Sequence, residues 1–181
     1  MKNPFLVGEK CYLRGLSVDD LGTEYFQWLN DQNTTKYMHN GMFPNSDKKM
    51  KAFFDRVTDS NTDLVLAIIS KIDDVHIGNL GLHNINWIYR KAELGILVGN
   101  NSYAGKGLAS EAMRLLLGHS FNRLGLNKVF VRTEEENTAA YKAFEKVGFK
   151  EEGRLRQECM RDGKFFDTVY MGALKAEFNS K

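Results

Sequence analysis

The sequence predicts a mixed α/β (α+β) single domain, and three observations point to this fold class. Segments with strand and helix patterns follow one another in the order one strand, two helices, three strands, helix, strand, helix, then two or three strands. Residues 99–112 are a glycine-rich connection between a predicted strand and an amphipathic helix. Apolar residues make up 43% of the 181 residues, which is enough to build a core, and no linker interrupts the chain. We therefore expect residues 1–181 to form one domain.

The amino-terminal third is predicted to contain one strand and two helices. Residues 10–14 alternate as in a strand. Ser17 with Asp20 three positions later predicts a helix start, because each side chain can satisfy a free backbone N–H group. The apolar spacing carries this helix to about Asn30, and a second helix is predicted over residues 46–57, with a serine as its N-cap.

The middle of the chain is predicted to contain three successive strands. Residues 64–70 form a continuous apolar run of strand length, and residues 75–85 and 91–98 are predicted as the next two strands. Gly78 and Gly81 in the second of these permit bulges or close packing.

The second half is predicted to alternate between helices and strands. The predicted elements are helix 107–124, strand 128–133, helix 138–147 and strands 149–153, 155–160 and 165–173. Asp162-Gly163, between the last two strands, favours a tight hairpin turn.

Composition and charge exclude several classes of protein. Charged residues make up 27% of the chain with a net charge of +2, whereas a nucleic-acid binder usually has a clear basic excess, so no nucleic-acid partner is expected. The chain starts without an apolar signal core, and no run approaches the roughly 18 apolar residues of a membrane span, which indicates a cytoplasmic protein without a membrane partner. The histidines lack metal-ligand spacing, and Cys11 and Cys159 lie far apart, so we expect reduced thiols and no metal.

The segment around Gly105 and Gly107 has the properties of a pyrophosphate-binding turn. Glycine lacks a Cβ, so backbone N–H groups here can approach an anion closely. The helix that follows offers unpaired N–H groups and the positive end of its dipole, and Lys106 adds a positive charge. The spacing is neither that of a P-loop nor that of a dinucleotide fingerprint. The alternative is an ordinary glycine-rich turn before a helix.

Two motifs and their spacing resemble those of the GNAT superfamily of N-acetyltransferases. Residues 104–109, Ala-Gly-Lys-Gly-Leu-Ala, resemble its acetyl-coenzyme A (acetyl-CoA) signature Gln/Arg-x-x-Gly-x-Gly/Ala, with Ala104 in place of Gln or Arg. Residues 137–149 resemble its second motif, Asn-x-x-Ala-x-x-x-Tyr-x-x-x-Gly-Phe, with Phe144 in place of the tyrosine. Segments near both ends, such as residues 28–31, resemble the ribosomal-protein N-acetyltransferase-like branch, which includes spermidine acetyltransferases.

This resemblance implies the GNAT fold and acetyl transfer from acetyl-CoA, the co-substrate, to a primary amine. The implied architecture is a twisted mixed sheet of about seven strands, splayed between the fourth and fifth and flanked by about four helices, with acetyl-CoA in the split. The residues implied to hold acetyl-CoA are Ile96, Leu97 and Val98 along the pantetheine, Ala104, Gly105, Lys106, Gly107, Leu108 and Ala109 at the pyrophosphate, and Asn137, Phe144 and Lys146 along the coenzyme arm.

Acetyl transfer needs a neutral amine, a stabilised oxyanion and, in some enzymes, a proton for the leaving thiolate. Glu93, in an otherwise apolar strand, is the first candidate for the base, with His83 as an alternative. Phe144 cannot donate a proton as the family's tyrosine does, and Tyr141, on roughly the same helix face, is the candidate substitute. The resemblance implies that the Val98 N–H group binds the oxyanion. Structural roles for these side chains stay open.

Aromatic residues are the candidates for the acceptor pocket, namely Trp28, Tyr37, Trp87 and Tyr89, although core packing explains Trp28 equally well. The favoured acceptor is a nucleotide-linked amino sugar, because both chain ends also resemble acetyltransferases that modify such sugars. A protein N-terminus or a polyamine remains open. A non-catalytic CoA-binding scaffold is the alternative from another class, and a homodimer through the carboxy-terminal strands is compatible with the sequence.

Overall fold

The computed structural model describes residues 1–178, except the side chain of Asn40, so the last three residues of the predicted domain lie outside the described part. Within it, eight strands form one mixed sheet in the spatial order β1-β2-β3-β4-β5-β6-β8-β7. The strands are β1 Leu6–Val7, β2 Cys11–Gly15, β3 Leu64–Ser70, β4 His76–Asn86, β5 Lys91–Val98, β6 Lys128–Glu134, β7 Lys150–Arg161 and β8 Lys164–Leu174. The mixed α/β class is confirmed. The eighth strand, β1, was not predicted, because two residues are too few to show an alternating pattern.

The helices lie on both faces of this sheet. Over residues 1–178 the α-helices are α1 Glu24–Trp28, α2 Asp47–Thr58, α3 Leu108–Asn122 and α4 Thr138–Val147. Ser46 caps α2 as predicted, since its hydroxyl accepts the Lys49 N–H. None of the helices in this part of the chain is long and apolar enough to cross a membrane.

The single helix predicted over residues 17–30 is instead two short helical segments. Ser17 and Asp20 form the expected capping box, but Val18–Gly22 is a 3₁₀ helix. Thr23 then has an extended backbone, with φ −99° and ψ −167°, and its hydroxyl accepts an N–H group of α1. Thr23, which can cap a new helix, therefore interrupts the continuous helix that the apolar spacing predicts.

The two strands predicted over residues 149–153 and 155–160 are one continuous strand, β7, which begins at Lys150. The pairing of β7 with β8 shifts register at two places. Asp162 and Gly163, with φ of 51° and 75°, form the predicted hairpin turn. Positive φ at both central positions is the geometry of a type I′ turn, which Asp-Gly favours.

The sheet opens between β5 and β6, the fourth and fifth of the predicted strands. Among the described residues, β5 pairs with β6 in parallel only from Lys91 to Glu93, whereas it pairs with β4 as far as Val98. The two strands therefore diverge toward their carboxyl ends, as the resemblance implied. We call the opening between residues 94–98 of β5 and the carboxyl end of β6 the cleft.

The sheet separates the main hydrophobic core from smaller clusters on its other face. α3 and α4 enclose the main core on one face, to which β5 contributes Leu94. α1 and α2 cover the other face, where Trp28 and Leu97 belong to a smaller cluster. Because side chains alternate along a strand, Glu93 and Gly95 share the face of Leu97, which we call the α1/α2 face.

Candidate functional site

Backbone groups of β5 point into the cleft at Ile96 and Val98. Gly99 N–H donates to Ile77 O of β4 at 3.0 Å, and successive N–H groups of a strand point in opposite directions. The N–H and C=O groups of Ile96 and Val98 therefore face the side where β6 no longer pairs. Leu97 differs, because its backbone faces β4 and its side chain is buried among α1 and α2. The geometry thus leaves the backbone groups of Ile96 and Val98 open to the cleft, and excludes those of Leu97.

The turn between β5 and α3 presents backbone donors. Gly105 and Gly107 have φ of 73° and 84°, in the left-handed region that glycine tolerates. Glu111 N–H donates to Gly107 O at 3.0 Å as the α3 ladder begins, so the N–H groups of residues 108–110 precede the ladder. A Cβ on Gly105 would meet nothing within 4 Å, and one on Gly107 would lie 3.4 Å from Lys10 Nζ. Donors and a helix dipole converge here, which suits a pyrophosphate.

The other predicted residues of this turn differ in exposure. Ala104 and Lys106 are exposed, and Lys106 Nζ lies 5.0 Å from the centroid of the Tyr103 ring. Leu108 is buried in the main core and Ala109 is half-buried. These last two residues can therefore contribute to anion binding mainly through their N–H groups.

Lys10 was missed by the sequence analysis, and Glu111 holds it at this turn. The Glu111 carboxylate accepts the N–H groups of residues 9, 10 and 11 at 2.6, 2.9 and 2.9 Å. Burial acts to raise the pKa of Glu111, but these hydrogen bonds hold it below its ordinary value, so the group is a carboxylate at neutral pH. Lys10 Nζ donates to Lys106 O at 3.2 Å. Lys10 and Glu111 are 101 positions apart, so no local pattern indicates the pair.

α4 begins beside the cleft, because Asn137 follows closely on the carboxyl end of β6. Asn137 Oδ1 accepts the Ala140 N–H at 3.3 Å, which leaves the amide NH₂ group for another partner. Phe144 is only 5% exposed and packs edge-to-face on Phe149, with 5.8 Å between centroids. Lys146 is exposed near the far end of α4. The prediction that Phe144 lies along the coenzyme is corrected, because the core encloses its ring.

Glu93, the first candidate for the base, is held in an ion pair. Arg132 Nε donates to Glu93 Oε1 at 2.7 Å, and Arg132 Nη2 donates to Glu93 Oε2 at 3.1 Å. The Glu93 hydrogen bonds raise the pKa of Arg132 above its ordinary value, and the guanidinium also lies 5.9 Å from the centroid of the Tyr170 ring. A carboxylate with both oxygens engaged by a guanidinium is a weak proton acceptor.

His83, the alternative base, lies beside Glu93 as its Cα partner on β4. His83 Nδ1 is 3.0 Å from Asp63 Oδ1, and Asp63 was not predicted from the sequence. The imidazole ring lies against β5 at Gly95, where an added Cβ would be 3.3 Å from both His83 Cδ2 and His83 Nε2. The ring therefore lies on the α1/α2 face where β5 leaves β6.

The side chain of Tyr141, the candidate acid, is directed away from Glu93 and His83. Its hydroxyl donates to Glu151 Oε2 at 3.2 Å, and its ring packs against the main core. Partial burial, and then the Glu151 hydrogen bond, raise the pKa of Tyr141, which makes it a poorer proton donor. The geometry does not support an acid role for Tyr141.

The predicted acceptor aromatics do not line one pocket. Trp28 is buried, and its indole lies against Gly99 at the carboxyl end of β5. Trp87 and Tyr89 are exposed in the turn before β5, and Trp87 Nε1 donates to Asn61 O at 2.9 Å. Eight residues of strand separate the two ends of β5, roughly 26 Å. Trp28 is thus a packing residue, and Trp87 and Tyr89 lie at the opposite end of β5 from the cleft.

Tyr37, the fourth predicted aromatic, lies under a guanidinium near the cleft. The Arg161 guanidinium carbon is 5.1 Å from the centroid of the Tyr37 ring and 4.8 Å from that of Phe166. The loop between α1 and α2 is thereby tied to the β7–β8 hairpin by a cation–π contact.

A cavity of about 330 Å³ opens between α1 and α2 and was not predicted. Its lining includes Tyr25, Leu29, Phe43, Lys49, Met50 and Phe53. Burial, and then the charge of Asp20, raise the pKa of Tyr25 to about 12, so its phenol is neutral. Leu29 belongs to the same cluster as Leu97, which places the cavity on the α1/α2 face.

Over residues 1–178, no group of three or more His, Cys, Asp or Glu side chains is arranged to hold a metal ion. Cys11 is buried, and burial raises the pKa of its thiol, whereas Cys159 is half-buried.

Comparison with known proteins gives consistent results for the whole chain. The acetyltransferase (GNAT) domain family matches residues 10–150. The uncharacterized N-acetyltransferase p20 of Bacillus licheniformis is 30% identical over 176 residues, which are 96% of this chain and 97% of that protein. A spermidine N(1)-acetyltransferase of Vibrio cholerae is 34% identical over 102 residues, 56% of this chain and 58% of that one. The crystal structure of a V. cholerae spermidine N-acetyltransferase in complex with CoA and spermine superposes with a TM-score of 0.85 at 27% identity, over 94% of this chain and 98% of that chain.

Proposed function

Because the chain belongs to the GNAT acetyltransferase family and is an N-acetyltransferase that uses acetyl-CoA, we propose that its acceptor is a small polyamine. The likeness to spermidine N-acetyltransferases, in sequence and in fold, supports this acceptor class. The observation that carries the proposal is the negative charge at one corner of the cleft.

That corner lies where β6 ends and the β7–β8 hairpin turns. Arg161 pairs with Glu134 and Glu136 at 2.7 and 2.6 Å and lies 3.7 Å from Asp162. Within the described part of the chain, one guanidinium thus faces three carboxylates, and the corner stays negative. Glu136 and Asp162 are 54% and 86% exposed, so they can meet a second ammonium group of a polyamine whose first nitrogen reacts.

The same ion pairs disfavour the nucleotide-linked amino sugar that the sequence favoured. Such an acceptor carries a diphosphate, which proteins usually bind with unpaired arginine or lysine side chains. Arg132 is engaged by Glu93, and Arg161 by Glu134. A protein N-terminus remains a competing acceptor. The non-catalytic scaffold is set aside by the family assignment.

The residues of the cleft fit acetyl-CoA as co-substrate, which supplies an activated acetyl group when bound. The N–H groups of residues 108–110, with Lys10, suit its pyrophosphate, since the α3 dipole adds to their attraction. The backbone groups of Ile96 and Val98 suit the amides of its arm, and the Asn137 amide NH₂ group can bind the same arm. Val98 N–H is also the candidate donor to the developing oxyanion.

A panel of amines tests the acceptor. The purified protein is mixed with acetyl-CoA and spermidine, a nucleotide-linked amino sugar or a peptide with a free N-terminus, and thiol release and product mass are followed. We expect the highest kcat/KM with spermidine. A higher kcat/KM with the sugar or the peptide would assign that acceptor instead and overturn the polyamine proposal.

A further inference from the structure

We propose that His83 Nε2 accepts the proton of the acceptor ammonium group, and that Asp63 is the positioning residue that orients His83 for this step. The inference rests on the proposed function and adds the base and its partner. The juxtaposition that carries it is the Asp63–His83 pair lying over Gly95, where β5 separates from β6.

Asp63 is itself held in one orientation. Ser60 Oγ donates to Asp63 Oδ2 at 3.0 Å, the Asp63 N–H donates back to Ser60 Oγ at 2.9 Å, and Arg56 Nη1 lies 3.4 Å from Oδ2. Burial acts to raise the pKa of Asp63, but the His83 and Ser60 hydrogen bonds hold it below its ordinary value. Asp63 is therefore a carboxylate at neutral pH.

The Asp63 carboxylate fixes the tautomer of His83. A carboxylate only accepts hydrogen bonds, so Nδ1 at 3.0 Å from Oδ1 must carry the hydrogen. Neutral imidazole with a hydrogen on Nδ1 has its lone pair on Nε2. The base therefore presents Nε2, the nitrogen that lies against Gly95.

Nε2 is accessible on the α1/α2 face. The His83 side chain is 30% exposed, and within residues 1–178 Nε2 makes no hydrogen bond. Gly95 is two residues beyond Glu93, the last residue of β5 paired with β6. Because Gly95 has no side chain, the imidazole ring can lie directly against β5, next to Ile96, whose backbone groups face the cleft.

The charged groups around His83 form two separate ion-pair arrangements. Asp63 contacts Nδ1 from the loop before β3, with Arg56 of α2 behind it. Glu93 is the Cα partner of His83 on β5, and Arg132 of β6 engages both Glu93 oxygens. Glu93 is thus committed to an ion pair, whereas Nε2 of His83 can accept a proton.

The proposed step balances in protons and bonds. The acceptor ammonium gives one proton to His83 Nε2, and the neutral nitrogen forms a bond to the acetyl carbon as the carbon–sulfur bond breaks. The second proton of that nitrogen leaves with the sulfur as thiol. His83 then releases its proton to water, so one proton appears in solution per acetyl group transferred.

The test compares His83→Ala and Asp63→Asn with the wild type, and Asp59→Asn is the matched control. Asp59 is an exposed carboxylate of the same loop that ends α2. We expect His83→Ala to lower kcat roughly 10²–10⁴-fold and to abolish the acidic limb of the kcat/KM profile, because a general base contributes about this factor. Added imidazole should restore part of the rate.

Asp63→Asn should lower kcat more than it changes KM, because an amide can present its NH₂ group to Nδ1 and no longer fixes the hydrogen of His83 on that nitrogen. Acetyl-CoA affinity should stay constant in every variant, and Asp59→Asn should match the wild type. Nitrogen-15 NMR of the wild-type protein should show the hydrogen of neutral His83 on Nδ1. A hydrogen on Nε2, or a full rate with an unshifted limb in His83→Ala, would overturn the inference. The acceptor is read independently from the wild-type panel, and the variants are measured with whichever amine turns over.

Discussion

Glu93 and His83 are Cα partners on neighbouring strands, yet their surroundings give them different properties. Glu93 has both oxygens bound by Arg132, whereas His83 has one nitrogen bound by Asp63 and the other open. At the scale of single residues, the hydrogen-bond partner therefore separates a candidate base from a fixed negative charge. Glu93 then serves to keep Arg132 in place and to offset its charge near a cationic acceptor.

Glu93→Gln tests this division. We expect kcat/KM for the amine to fall roughly 10- to 100-fold, since a hydrogen bond between charged groups contributes roughly 1.5–3 kcal/mol and its loss leaves Arg132 uncompensated. The acidic limb of the pH profile should be retained, because Arg132 engages both Glu93 oxygens and the proposed proton acceptor is His83. Loss of that limb in steady-state kinetics of Glu93→Gln would return the base role to Glu93.

The site residues that stand in local sequence motifs could be predicted, whereas those that depend on contacts between distant residues could not. Gly105, Gly107 and Asn137 stand in short motifs, and the structure places Gly107 and Asn137 at the N-caps of α3 and α4. Asp63 and Lys10 are positioned by hydrogen bonds to His83 and Glu111, which are 20 and 101 positions away, so no sequence periodicity indicates them. The predicted aromatic pocket failed for the same reason, because exposure and position along β5 depend on the assembled sheet.

At the scale of elements, the packing of α1 on the end of β5 sets the geometry of the cleft. Trp28 lies against Gly99, and a Cβ at that glycine would overlap the indole. Trp28 also packs edge-to-face on His76, with 5.3 Å between centroids. Gly99, which connects β5 to the glycine-rich turn, is thus held in place by α1.

Gly99→Ala is expected to lower the free energy of unfolding by about 1–3 kcal/mol, because overpacking forces the Trp28 ring or the strand to move. Gly153→Ala is the matched control, since a Cβ there meets nothing within 4 Å, and it should change stability by less than about 0.5 kcal/mol. Thermal unfolding followed by circular dichroism measures both. Equal melting temperatures for the two variants would contradict the contact.

Element boundaries were predictable where the capping chemistry is local. Ser46 caps α2 as predicted, α4 spans the predicted residues 138–147, and Asp162-Gly163 turns the hairpin. The break at Thr23 was not predicted, because apolar spacing on both sides of it fits a single helix. The continuity of β7 was also missed, since its exposed residues give no alternation and its course is set by pairing with β8.

At the scale of the whole molecule, several buried titratable groups share one direction of shift. Burial acts to raise the pKa of Asp20, but its Arg14 hydrogen bonds hold it below the ordinary value, and the pKa values of Asp63 and Glu111 are also lowered. Burial lowers the pKa of His76. Each group binds a proton more weakly in the folded than in the unfolded protein, so acid favours unfolding.

Stability should therefore decline in two stages as the pH falls. The contribution of His76 begins to be lost below about pH 6.5, and those of the carboxylates below about pH 4, their ordinary values in unfolded chains. Urea unfolding at pH 7.5, 5.5 and 3.5 measures the loss, which we expect to be on the order of 1 kcal/mol at the middle pH and larger at the lowest. An unchanged unfolding midpoint from pH 7.5 to 3.5 would contradict the assignment.

Because β5 pairs with β6 over only a few residues, amide hydrogen exchange along β5 can report whether a ligand occupies the cleft. The amide hydrogens of Ile96 and Val98 face the cleft, while that of Gly99 is bonded to Ile77 of β4. In deuterated water the amides along this strand should exchange in alternation, quickly at Ile96 and Val98 and slowly at Leu97 and Gly99. Acetyl-CoA should slow only the fast pair, so residue-resolved exchange reads the filling of the cleft without any turnover. Uniformly slow exchange in the protein alone would mean that the strands do not part.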